Sequence, residues 1–211
     1  TLDAVRVVLG IRHVQLLYLA TAVRYCAGFG IGVWVAPFFR EKYPDRTGDF
    51  SVANALVIAG GGIISSVAGG ALADRLAQQD PRYLLLVPAA GSLIAAPLWF
   101  LAIHARTFAW GVTWLFLEYL AAECWFGPAL AALTRAVPRE AHGTALGVFT
   151  VLSSVGNVLP VVIGFLQRQL GFAEVLCWTV VGAYVVSGLL FVLAGMNPPD
   201  RLEGRPEEET E

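Results

Sequence analysis

The chain has 211 residues, 57% of them Ala, Val, Ile, Leu, Met, Phe, Trp, Tyr or Cys and only 14% charged; a typical soluble domain is about 25% charged. One water-soluble core could not hide that apolar surplus, and a net charge of −2 excludes the basic footprint of a nucleic-acid binder. Three cysteines, dispersed and without metal-ligand spacing, exclude a disulfide-stapled domain and a cysteine metal site.

The composition predicts an all-α membrane protein. Residues 1–13 predict a short amphipathic helix without a signal-peptide layout, in what reads as the interior of a longer polypeptide. Six apolar runs follow, each near the roughly 20 residues that cross a bilayer: Val14 to Phe39, Val52 to Ala73, Tyr83 to Ile103, Phe108 to Thr134, Gly143 to Leu166 and Val175 to Met196. They lack the period-2 alternation of barrel strands, so residues 14–196 predict six transmembrane helices. Arg40 to Asp49 predicts the longest polar loop, and residues 197–211 a disordered acidic cytosolic tail. Six crossings put both termini on one side. That side holds eight of the Lys and Arg residues against five on the other, which predicts cytosolic termini.

Charges at membrane depth cost about 2.5–3.5 kcal/mol each on insertion scales. Arg24 lies roughly 15 Å into the first span at 1.5 Å per residue, Glu123 roughly 16 Å into the fourth and Glu118 roughly 24 Å. Depth therefore pairs Arg24 with Glu123. Helical rotation predicts that Glu118 and Glu123 occupy different faces. Two readings stay open: a protonatable carboxylate lining a polar cavity with Arg24 as counter-charge or anion contact, or a buried ion pair that only fixes helix register. Asn54, Ser65 and Ser66 on the second span and Thr150, Ser153, Ser154 and Asn157 on the fifth predict that the first, second, fourth and fifth spans line a cavity. The third and sixth then face lipid. Gly28, Gly30, Gly32, Gly60 to Gly62, Pro128 and Pro160 mark close packing or hinge points.

At the end of the second span stands Gly70-Ala71-Leu72-Ala73-Asp74-Arg75. It resembles the G-x-x-x-D-R core of the signature loop of the major facilitator superfamily, with Gln78-Gln79-Asp80-Pro81-Arg82 in place of the usual basic cluster. In this reading Gly70 admits a close neighbour, and Asp74 offers a carboxylate to the helix start near His142 and Gly143. The whole chain is similar to the second, C-terminal six-helix half of that superfamily. Glu123-Cys124-Trp125-Phe126-Gly127-Pro128, Val137-Pro138-Arg139-Glu140-Ala141-His142-Gly143-Thr144-Ala145 and Gly156-Asn157-Val158-Leu159-Pro160 look like the tenth and eleventh helices of Spinster-like transporters, with Asn157 where an Asp is usual.

The resemblance implies secondary active transport by alternating access, one half of a two-half bundle, and no cofactor. Its missing N-terminal half would come from the same chain or from a second copy. The cargo it implies is a lipid, lysolipid or other lipophilic organic anion, with proton coupling as one option. Arg24 would meet the head group, and Trp34, Trp125 and Phe126 the apolar part. Arg24, Glu118, Glu123, Asn54 and Asn157 are thus the substrate or coupling residues, and Gly70, Asp74 and Arg75 the gating motif. An intramembrane enzyme is excluded because His13, His104 and His142 lie at span edges, away from any serine at depth. A membrane scaffold built on the same helices is the rival, although a scaffold gains nothing from three buried charges.

Overall fold

The computed structural model describes residues 2–197. Helix α1 (Leu2–Gly10) buries Val8 against the turn at Arg139–Ala141, then gives way at Ile11 to α2 (Arg12–Lys42), which carries the first span. The expected polar loop is almost absent. Among residues 40–49 only Tyr43 is outside a helix, because a 3-10 turn at Pro44–Arg46 leads directly into α3 (Thr47–Leu56). Proline opens that turn, where a missing N–H costs nothing, and Arg40 and Lys42 complement the negative end of α2. A π-helical turn at Val57–Gly61 then joins α3 to α4 (Gly62–Ala77), giving one continuous second span. The third span is α5 (Tyr83–His104).

The fourth run is not one helix. It comprises α6 (Phe108–Ala122), capped by the Thr107 hydroxyl, a 3-10 turn at Glu123–Trp125, and α7 (Phe126–Ala136). The fifth is divided similarly into α8 (His142–Gly156) and α9 (Val158–Leu170), with Asn157 at the joint, and α10 (Phe172–Met196) is the sixth. Pro128 and Pro160 each fall in the first turn after a joint, where the helix N–H groups have no internal partner. All six expected apolar runs are helical, the fourth and fifth each divided at a joint. Among the described residues five helical runs are long and apolar enough to cross a membrane, and the divided fourth run is not among them.

The helices run up and down between two faces. On the proximal face, where α2 begins, His13 Nδ1 meets the Ala194 and Asn197 carbonyl oxygens at 2.9 and 3.0 Å. On the distal face the Tyr43 hydroxyl donates to Ala105 O and Lys42 to Ile103 O, tying α2 to the end of α5. Helix α10 packs along both α5 and α2. The α5 and α10 spans are 56% and 44% buried, whereas the second and fifth are each only 22% buried. The largest uncovered apolar faces thus belong to α3–α4 and α8–α9, and they carry Ile63, Val67, Val151, Val158 and Phe165.

Candidate functional site

The apolar interior is divided in two. One cluster, at the proximal end, includes Leu17, Ala20, Ala89, Trp125, Phe149 and Phe191; the other includes Ala27, Ala95, Leu115, Ala122 and Tyr184. On three helices, buried polar side chains at mid-length fall between members of the two clusters. Thr21 and Arg24 lie between Ala20 and Ala27 of α2, Ser92 between Ala89 and Ala95 of α5, and Ser187 between Tyr184 and Phe191 of α10. A polar layer therefore crosses the middle of the bundle.

Arg24 is its centre and is 1% exposed. Its Nη2 donates to the Ala122 carbonyl oxygen at 2.8 Å and to Glu123 Oε1 at 3.1 Å. Both acceptors belong to the joint between α6 and α7, so one guanidinium supplies a counter-charge and also satisfies a backbone carbonyl at the break. Irregular backbone at membrane depth needs such an internal partner. The guanidinium also lies over two rings, 5.4 Å from the centroid of Trp125 and 4.9 Å from that of Tyr184, where ring quadrupoles attract a cation.

Glu118 is buried in the same place. The Tyr184 hydroxyl donates to Glu118 Oε1, and Arg24 acts electrostatically on both carboxylates. The two acids are linked through residues of other helices: Arg24 of α2 holds Glu123 and lies over the Tyr184 ring of α10, whose hydroxyl holds Glu118. Glu118 Oε2, Arg24 Nε, Thr21 Oγ1, Ser65 Oγ and Ser92 Oγ have no hydrogen-bond partner among the described residues.

The joint is also the point of closest backbone packing. A Cβ placed on Gly91 of α5 would lie 2.5 Å from the Ala121 oxygen and 2.6 Å from Cys124 Sγ, and Gly69 of α4 approaches Cys124 on another side. Ser66 Oγ donates to Glu123 O at 3.4 Å. The α6–α7 joint is thus held by α2, α4 and α5 together.

The remaining sequence-predicted residues are elsewhere. Asn54 is half-buried on α3, with its Oδ1 unpartnered among the described residues, and makes no hydrogen bond to the Arg24 cluster. Asn157 is exposed at the α8–α9 joint, where its amide turns back to Ser154 O. Thr150 and Ser153 likewise bond carbonyls of their own helix. In the expected gating motif Asp74 and Arg75 are exposed, and Asp74 makes no hydrogen bond to the start of α8 among the described residues. Gly70 is corrected: a Cβ there meets nothing within 4 Å, and the close neighbour belongs to Gly69. Trp34 is occupied by a bond from its indole to Pro160 O at 2.9 Å, Trp125 is buried beneath Arg24, and Phe126 is exposed.

Tyr184 is the residue that sequence reasoning missed. Its hydroxyl lies about 18 Å from the proximal end of α10 at roughly 1.5 Å per residue, a depth matching Arg24. That depth was the available signal.

No family model matches the chain. The chain is 30% identical over 151 residues to an MFS-type efflux pump of Mycolicibacterium smegmatis, an overlap covering 71% of this chain and 35% of that protein. It superimposes with a TM-score of 0.72 and 18% identity on a crystal structure of a bacterial homolog of the human lysosomal transporter Spinster, in an inward-facing and unoccupied conformation. That match covers 94% of this chain and 50% of the other. The chain is a six-helix half with the major facilitator superfamily fold. It spans about half the length of the solved transporter and about a third of the efflux pump. Within this fold the Arg24 cluster lies at mid-bundle.

Proposed function

We propose that the chain is the C-terminal half of a secondary active transporter that works by alternating access and carries a lipid, lysolipid or other lipophilic organic anion. The single observation behind this reading is the buried Arg24–Glu118–Tyr184–Glu123 cluster at a helix joint. With both acids ionised, the cluster holds one cation and two anions. A proton on one carboxylate makes it neutral, which favours burial and gives a coupling proton a place to reside. Glu123 has a side chain 35% exposed and is the acid reachable from outside the core; Glu118 is the sealed one.

A partner half would cover the apolar faces of α3–α4 and α8–α9, supplied by the same polypeptide or by a second copy. Asn54 and Asn157 would then join the substrate path. Gly70, Asp74 and Arg75 would act as a gate against that half, with the termini in the cytosol.

The test is reconstitution of the protein in phosphatidylcholine vesicles, with a lysophospholipid as probe and substrate-driven proton movement as readout. Glu123→Gln and Glu118→Gln should each retain a folded protein and abolish proton movement. Unchanged transport and proton movement in both variants would make the cluster a register-fixing ion pair and favour the scaffold reading.

A further inference from the structure

A second polar site lies on the distal face, about 27 Å from Arg24 along α2 at roughly 1.5 Å per residue. It is a cavity of about 420 Å³ between the end of α2, the end of α5 and the α9–α10 turn. Phe38, Ile103 and Phe172 contribute apolar surface, while Glu41, Lys42 and Glu174 contribute both signs of charge. Phe38 and Ile103 are buried, and the rings of Phe38 and Phe172 meet edge to face at 5.9 Å. Gly171, at φ +87°, forms the turn that brings Phe172 and Glu174 to the cavity; a side chain there would strain the backbone.

Two of the charged groups, Lys42 and Glu174, are held in place. Lys42 donates to Ile103 O and lies 5.5 and 5.6 Å from the ring centroids of Phe38 and Tyr43. An ammonium has three donors, so two remain for an acceptor on a ligand. Glu174 accepts from the Trp178 indole at 3.0 Å and lies 3.8 Å from His104 Nε2. One fixed cation, two carboxylates and an apolar wall at a span boundary match an amphiphile whose head group carries an anion next to an amine.

We propose that this cavity binds the head group of a zwitterionic aminophospholipid of the distal leaflet, its phosphate on Lys42, its ammonium at Glu41 and Glu174, and its first acyl carbons over Phe38 and Phe172. The site is separate from the Arg24 cluster and stands whether or not that cluster carries a transported anion.

The experiment is native mass spectrometry of the purified protein equilibrated with equimolar dioleoyl phosphatidylethanolamine, phosphatidylcholine and phosphatidylglycerol. Phosphatidylethanolamine should be retained about tenfold over phosphatidylcholine, the worth of one charge-assisted hydrogen bond. The double variant Glu41→Gln, Glu174→Gln should reduce that ratio to about one, and Lys42→Gln should lower retention of all three. Water-soluble phosphoethanolamine at the same concentration should not displace the lipid, because it lacks the acyl chain; displacement would assign the site to the free head-group compound and overturn the lipid assignment. Equal retention of the three lipids by the unaltered protein, a preference for phosphatidylglycerol, or an unchanged ratio in the double variant would overturn the proposal. The first two readings need no variant to fold.

Discussion

Gly69 of α4 lies so close to Cys124 that a Cβ built on it falls 2.1 Å from the Cys124 Cβ and 2.9 Å from its Cα. The second span therefore meets the joint of the fourth with no room for a side chain on its own side. Neither neighbouring atom belongs to the far end of a flexible chain, so neither can yield without moving the joint and, with it, the acceptors of Arg24.

Gly69→Ala should accordingly destabilise the protein by about 1–3 kcal/mol, the usual cost of overpacking. Gly70→Ala, one residue on and facing open space, should be neutral or stabilising by up to about 1 kcal/mol through helix propensity. Thermal unfolding of the two variants in the same detergent separates them. Equal melting temperatures would contradict the packing described for Gly69.

The contrast also shows how far the sequence could be read. Apolar runs of bilayer length are legible because composition alone decides them, and the Arg24–Glu123 pairing is legible because depth along two antiparallel helices is simple arithmetic. The joints are not. Pro88 and Pro97 lie inside α5 without dividing it, whereas Pro128 follows a joint whose Ala122 carbonyl is satisfied by Arg24 from another helix. Proline alone does not distinguish the two cases; the partner does, and that partner is remote in sequence. The same holds for Gly69 against Gly70, where a motif directs attention to one glycine and the tertiary packing uses its neighbour. The mid-bundle layer was hidden for a related reason. Thr21, Ser92 and Ser187 are each unremarkable in a span, and only the folded bundle brings them to one level.

Removing Arg24 should be costly because three neighbours depend on it. Arg24→Ala leaves Glu123 without its counter-charge, removes a side-chain donor from Ala122 O and empties the space between Trp125 and Tyr184. The expected loss is about 3–5 kcal/mol, as for other buried pairs deprived of one partner. Glu123→Gln in the same molecule should recover about 1–3 kcal/mol of it, and not all, since the space between Trp125 and Tyr184 stays empty. A double-mutant cycle followed by unfolding measures the coupling. Strict additivity would mean that the 3.1 Å contact contributes nothing to stability.

Tyr184→Phe tests the sealed half of the cluster. The ring and its cation–π contact with Arg24 remain, and only the hydroxyl that donates to Glu118 is lost. A buried carboxylate deprived of its donor costs about 1–3 kcal/mol, and Glu118→Gln in the Tyr184→Phe background should recover most of it, because an uncharged amide has less solvation to lose. The outcome that contradicts this is a Tyr184→Phe protein as stable as the original with no response to the second change.

The uncovered faces make the last prediction. Val67 on α4 is 69% exposed and Val151 on α8 is 67% exposed, each on a span that is only 22% buried. A face destined for lipid accepts any apolar side chain of any size, whereas a face destined for a second six-helix half must match a packed surface, and helix interfaces in membranes favour small residues. Tryptophan distinguishes the two, being apolar enough to insert yet too large for a close interface. Val67→Trp and Val151→Trp should leave insertion and folding of this half unchanged, since the substituted side chains touch little within it. In a protein assembled with a second half they should lower the melting temperature by several degrees, the shift expected for a loss of about 1–3 kcal/mol from overpacking. Val186→Trp on α10, a position 47% exposed on the opposite kind of span, should be tolerated in both settings. If all three variants behave alike in the assembled protein, the reading of α3–α4 and α8–α9 as a packed interface fails.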